Sequence, residues 1–130
     1  MLRKLGATSI LEAETGAEAE RLFRDNPVQL ILLDMHLPDM TGLEVARLVR
    51  AIEVGRILGS VNQAPPCLIV ALSGDAELME ECTRTELTNA FLLKPATMEQ
   101  IEDAVAKSLA ARDASIAAGR ADTAADSRML

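Results

Sequence analysis

The feature that most constrains this chain is an unbroken apolar run ending in a charge: Leu30, Ile31, Leu32 and Leu33, then Asp34, within the stretch Val28 to Gly42. A run without alternation suits a parallel strand covered on both faces, which puts the Asp34 carboxylate at the strand's C-terminal tip. In open parallel α/β sheets that rim is where ligands bind. Pro38 cannot extend a sheet and biases Leu37 towards extended backbone, so a loop stays close to the carboxylate. Thr41 then opens a helix, with Glu44 as the other half of a capping box.

On either side, strand and helix patterns alternate. Met1 to Leu5 reads as the last turn of a helix ended by Gly6. Thr8 to Glu14 reads as a strand carrying Ile10, and Thr15-Gly16 as a turn. Ala17 to Asp25 is predicted helical, with Ala19, Leu22 and Phe23 on one face, and Asn26-Pro27 breaks it. The helix from Thr41 to about Ile57 should bury Val45, Ala46, Val49 and Ile52, with Gly55 weakening its last turn. A loop over Leu58 to Pro66 leads to a strand, Cys67 to Leu72. After Ser73-Gly74, Asp75 is placed to cap a helix running to about Leu87. Ala90 to Leu93 forms a short strand stopped by Pro95. Thr97 and Gln100 cap the last helix, whose buried stripe is Met98, Ile101, Val105 and Leu109. Beyond about Asp113 the apolar stripe fades, so residues 1–113 form the expected domain and 114–130 a frayed or disordered tail. The alternation predicts an α/β fold, a parallel sheet with helices on both faces.

Composition narrows the function. A chain of 130 residues can bury roughly two thirds of its unfolded surface, enough for a single core without disulfides. Phe23 and Phe91 are its only aromatics, so aliphatic residues and alanine build that core. A net charge of −7, from 13 basic and 20 acidic residues, argues against direct nucleic-acid binding. Cys67 and Cys82 lack the paired spacing of a zinc or redox site and read as cytosolic thiols. With neither a membrane-length apolar run nor a signal-peptide core after Met1, the expected location is cytoplasmic.

Three strand ends carry the chemistry. Asp34 is followed by Pro38 and Gly42; Cys67 to Ser73 is an apolar strand ending in a hydroxyl; Ala90 to Pro95 is a strand ending in Lys94-Pro95. Alone, Asp34 would read as a capping or strand-end carboxylate and Lys94 as a solvated lysine. Together and in this order, the three segments resemble response-regulator receiver domains of two-component phosphorelays. That resemblance implies a flavodoxin-like doubly wound parallel sheet with strand order 2-1-3-4-5. It also implies phosphoryl transfer from a phosphohistidine, on a histidine kinase or histidine phosphotransfer protein, to Asp34. Lys94 would pair with Asp34 and then with a phosphoryl oxygen, and Ser73 would donate its hydroxyl to the new group. Phe91 matches the family's switch aromatic and reads equally as a core filler. For Mg²⁺, the resemblance implies Asp34 and the backbone carbonyl of His36 as ligands, while Asp39 and Asp75 read as turn and cap residues.

The sequence departs from the family pattern at two places. The family usually has a glycine near Glu86 and acidic residues just before Phe91. It also begins with a strand ending in an acidic pair that holds Mg²⁺, followed by a helix. The expectation here is an N-terminally truncated receiver missing that first βα unit and its acidic pair, with weak Mg²⁺ binding and slow autonomous phosphorylation. Three arrangements would accommodate this: a longer natural polypeptide, an Ile10 strand shifted against the Leu30 strand, or a strand donated by a partner or a dimer mate. The alternative function is a pseudo-receiver, a phosphorylation-independent interaction domain. Enzymatic activity is expected at most as catalysis of its own phosphorylation. A haloacid-dehalogenase-type phosphatase would want a second aspartate where His36 stands.

Overall fold

The computed structural model describes residues 12–59 and 66–129, the side chains of 57–59 and 116–129 aside. The predicted helix end before Gly6, the Ile10 portion of the first strand and most of the loop before Pro66 lie outside the described residues. In chain order the elements are α1 (Gly16–Asp25), β1 (Leu30–Asp34), α2 (Gly42–Gly59), β2 (Leu68–Ser73), α3 (Leu78–Thr85), β3 (Ala90–Leu93) and α4 (Met98–Met129). The strands form a parallel sheet in the order β1-β2-β3, with Asp34 opposite Leu72 and Ser73 opposite Leu93. Among the described residues β1 has no strand on its other side.

Side chains alternate across the sheet. Leu33, Ile69 and Ala71 join Phe23 of α1, Val45, Ala46 and Val49 of α2, and Cys82 of α3 in one buried cluster. Leu68 and Val70, next in the alternation, are equally buried, and α4 packs on β2 and β3 with Ile101 and Ala104 buried. The central strand β2 is thus covered on both sides, as its unbroken apolar run predicts, whereas in β1 only Leu33 is buried and Leu30, Ile31 and Leu32 stay partly exposed.

Both capping boxes form. Thr41 Oγ1 accepts the Glu44 N–H while the Glu44 carboxylate accepts the Thr41 N–H, and Thr97 and Gln100 exchange the same pair of bonds. Other boundaries differ from expectation. Thr15 is not a turn residue but the N-cap of α1, accepting the Glu18 N–H at 3.1 Å. α2 continues past Gly55 to Gly59, and β2 is shifted one residue, to end on Ser73 itself. Asp75 does not cap α3: its carboxylate accepts the Glu77 N–H at 2.9 Å in a turn, and the helix starts only at Leu78. Glu86, at φ 57°, adopts the left-handed conformation that ends α3 before Leu87, at the place where the family usually has glycine. On α4 the buried residues are Ile101, Ala104 and Ser108, whereas Leu109 is exposed. The assigned range of α4 runs through residues 114–129, where the sequence predicts a frayed or disordered tail.

Candidate functional site

Parallel pairing brings the ends of all three strands to one rim. Asp34 ends β1, Ser73 ends β2, and Lys94 follows β3, its N–H donating to the Ser73 carbonyl at 2.8 Å. β2 lies in the middle, so Lys94 reaches across its tip to place Nζ 2.6 Å from Asp34 Oδ2. The second carboxylate oxygen, Oδ1, accepts the His36 N–H at 2.9 Å. Asp34 and Lys94 side chains keep 39% and 44% of their surface in solvent, so an incoming group can reach the pair. Partial burial pushes the Asp34 carboxyl up, but the Lys94 ammonium and the His36 amide outweigh it and hold the group below its ordinary value. At neutral pH Asp34 is therefore an anion, the form a nucleophile requires.

Ser73 is fully buried at the tip between them, and its Oγ accepts the Asp75 N–H at 3.0 Å. A hydroxyl that already accepts still has its proton to donate. Phe91 is half-buried, packed against the core cluster from the outer strand. The His36 side chain is exposed, and its backbone pairs with Thr41 in an isolated antiparallel bridge. That bridge, with the Gly42 N–H donating to the Met35 carbonyl at 3.0 Å, folds the loop after Asp34 back on itself. Only glycine fits at position 42: a Cβ there would lie 2.7 Å from the Asp34 carbonyl oxygen and 2.8 Å from Met35 Cα.

Asp39 is more than the turn residue the sequence suggests. Its carboxylate accepts the Gly16 N–H at 2.7 Å and the Ala17 N–H at 3.0 Å, joining the loop after Asp34 to the start of α1. Those amide bonds, that of Gly16 foremost, hold the Asp39 carboxyl below its ordinary value. Nothing local signals this contact, because its partners are more than twenty residues apart in the chain.

The Mg²⁺ that the family pattern implies needs about six oxygen ligands in near-octahedral geometry. Among the described residues no group of three or more His, Cys, Asp or Glu side chains could hold a metal ion. Asp34 and the His36 carbonyl remain as the inherited ligands, and both Asp34 oxygens already accept N–H bonds. The donor set of the described residues does not fit Mg²⁺.

Comparison with known proteins gives a consistent answer. The model of the response regulator receiver domain matches residues 1–106. A chemotaxis protein CheY homolog of Campylobacter jejuni is 28% identical over 103 residues, spanning 78% of this chain and 73% of that protein. The autoinducer 1 sensor kinase/phosphatase LuxN of Vibrio harveyi is 31% identical over 77% of this chain, which corresponds to 10% of LuxN. Among solved structures, the receiver domain of the Saccharomyces cerevisiae response regulator Ssk1, crystallised with the phosphotransfer protein Ypd1, superposes with a TM-score of 0.64. The two are 27% identical, with 77% of this chain and 70% of that one covered. The signal receiver domain of a LuxO repressor protein from Vibrio parahaemolyticus, 23% identical, shares the fold with a TM-score of 0.66 over 88% of this chain and 81% of that one. The strand order, the rim and these likenesses agree: the chain belongs to the response regulator receiver domains of two-component signalling.

Proposed function

We propose that Asp34 is the phosphoacceptor of this receiver and takes a phosphoryl group from a phosphohistidine on a histidine kinase or histidine phosphotransfer protein. The observation that carries the reading is the Asp34–Lys94 contact of 2.6 Å across the tip of β2, with the Ser73 hydroxyl at that tip. In the step, an Asp34 carboxylate oxygen attacks phosphorus, a P–O bond forms, the P–N bond to the donor breaks, and the imidazole leaves with the bonding pair. Lys94 then offsets the charge of the new acyl phosphate as a point charge, and Ser73 donates its proton to a phosphoryl oxygen. Phe91 would follow Ser73 as the switch aromatic. The co-crystallised pair of Ypd1 and the Ssk1 receiver supports a phosphotransfer protein as one partner class.

The test is incubation of the chain, alone and extended by its natural upstream sequence, with phosphoramidate, acetyl phosphate or a phosphorylated donor in the presence of Mg²⁺. The expected result is one phosphoryl group per chain, acid-labile, absent in Asp34→Asn. Equal labelling of Asp34→Asn would overturn the assignment.

The incomplete Mg²⁺ donor set among the described residues favours a second reading, a pseudo-receiver that binds partners without phosphoryl chemistry. It predicts that Asp34→Asn leaves partner binding and signalling unchanged in the full-length context.

A further inference from the structure

The loop that follows Asp34 is fastened at its far end to an element that contributes nothing to the rim. Asp39 is solvent-exposed, yet both of its carboxylate oxygens are engaged, one with the Gly16 N–H at 2.7 Å and the other with the Ala17 N–H at 3.0 Å. These are the first two amides of α1, which a helix leaves without internal partners. Thr15, the side-chain cap of α1, serves only the Glu18 N–H, so Asp39 supplies from the loop acceptors for the two amides that this cap leaves open and ties the loop to the helix in doing so. A second contact reinforces the first. Met40 lies so close over Gly16 that a Cβ on that buried glycine would collide with its side chain, 2.5 Å from Sδ.

We infer that Asp39 is a positioning residue for phosphoryl transfer, a clamp that holds the Met35–Thr41 loop in register on α1 and so fixes the His36 amide against Asp34 Oδ1. This rests on the phosphoacceptor reading above. The chain of contact is short: Asp39 and Met40 sit on α1, Thr41 bridges to His36, and the His36 N–H donates to the carboxylate oxygen at 2.9 Å. With the clamp in place Asp34 keeps one orientation, with Oδ2 facing Lys94. Without it the loop keeps the Met35 N–H bond to the Leu72 carbonyl and its own bridge, but its far end loses its hydrogen bonds to α1, and the carboxylate samples orientations that face the incoming phosphorus less often. Misplacement on the order of 1 Å can cost about a hundredfold in rate, so even a fraction of that shift is measurable.

Two readouts on the purified chain test the clamp. The first is the rate of Asp34 labelling by phosphoramidate in wild type, Asp39→Ala, Asp39→Asn and Thr15→Ala. Asp39→Ala should slow labelling on the order of tenfold. Asp39→Asn, which keeps one acceptor oxygen but turns an N–H₂ towards the other amide, should fall between. Thr15→Ala removes the other cap of α1 without touching the loop and should label at the wild-type rate. The second readout needs no phosphate: amide exchange at His36 and Gly42 should quicken in Asp39→Ala and not in Thr15→Ala, while Val70 in β2 stays protected in both. Unchanged exchange at His36 and Gly42 in Asp39→Ala would refute the clamp, as would equal slowing of labelling by Thr15→Ala. A wild-type chain that takes no phosphate overturns the transfer role, and the exchange data then decide separately whether Asp39 holds the loop.

Discussion

The two ends of the sheet use charge in opposite ways. At the C-terminal rim, Lys94 meets a single carboxylate oxygen and both partners stay partly in water. At the N-terminal end, Arg50 of α2 is held by four acceptors: the Leu87 carbonyl, the Cys67 carbonyl, Glu53 Oε1 and Asn89 Oδ1, at 2.7 to 3.1 Å. Glu53 in turn accepts the Cys67 N–H at 2.6 Å, and Asn89 Oδ1 also accepts the Ile69 N–H at 2.8 Å. Arg112 of α4 adds a bond to the Pro66 carbonyl at 3.0 Å. Burial, with Glu53 adding to it, pushes the Cys67 thiol up to about 12, so it is inert there. An arginine held by four acceptors drawn from several chain segments can fix where strands begin but is poorly placed to change partners for a ligand. An ammonium with one partner can change partners, which is what a site for an arriving anion needs.

The largest expected effect is therefore far from the rim. Arg50→Ala would orphan two backbone carbonyls and leave Glu53 without its cation in a half-buried position. Breaking such a network costs about 3 kcal/mol, read as a lower urea midpoint at unchanged slope. A loss within a few tenths of a kcal/mol would mean that the network is decoration, and the contrast between the ends would collapse. Gly42→Ala comes next and acts at the rim. Its new methyl must displace the Asp34 carbonyl or Met35, an overpacking cost of about 2 kcal/mol. Unlike Arg50→Ala, it should also slow labelling of Asp34 in the fraction that remains folded.

What the sequence makes legible follows the range of the interaction. Both capping boxes, Thr41 with Glu44 and Thr97 with Gln100, join residues three apart, and both form as predicted. The strand runs before Asp34 and Ser73 are equally local and mark two strands, but the cover on both faces that such a run implies is met in β2 and not in β1, where Leu33 alone is buried. Asp34 and Lys94 are sixty residues apart, and only the order of three strand ends suggests that they meet. Asp75 illustrates a local ambiguity: an aspartate before a helix can bond into a turn as readily as cap, and here it takes the Glu77 amide. The stripe of α4 depended on what lay beneath it. The helix packs on β2 and β3, and its closest line runs through Ile101, Ala104 and Ser108, which turns Leu109 outwards although its spacing fits a wider face. Glu53 apart, the partners of Arg50 and Asp39 lie far off in the chain and are largely backbone groups, so nothing local signals them.

The smallest effect on stability should come from the Asp34–Lys94 pair, to which the proposed function gives the chemistry. Lys94→Met keeps the apolar stem and removes the charge, and a partly exposed ion pair contributes only about 0.5 kcal/mol after screening. Its pH dependence gives the sign. The folded Asp34 carboxyl lies below its ordinary value, so the stabilisation is present above the unfolded value of about 3.9 and disappears as pH falls through the folded one. Wild type and Lys94→Met should thus differ slightly in urea midpoint at neutral pH and converge once Asp34 is protonated in both. If the gap instead widened in acid, Lys94 would be stabilising some other group. Labelling by phosphoramidate should fall far more than the midpoint does, because the charge Lys94 offsets is largest when phosphorus is bound. A variant that loses transfer while barely losing stability marks the rim as the working end of the sheet, just as Arg50→Ala, unstable but competent while folded, marks the other end as its foundation.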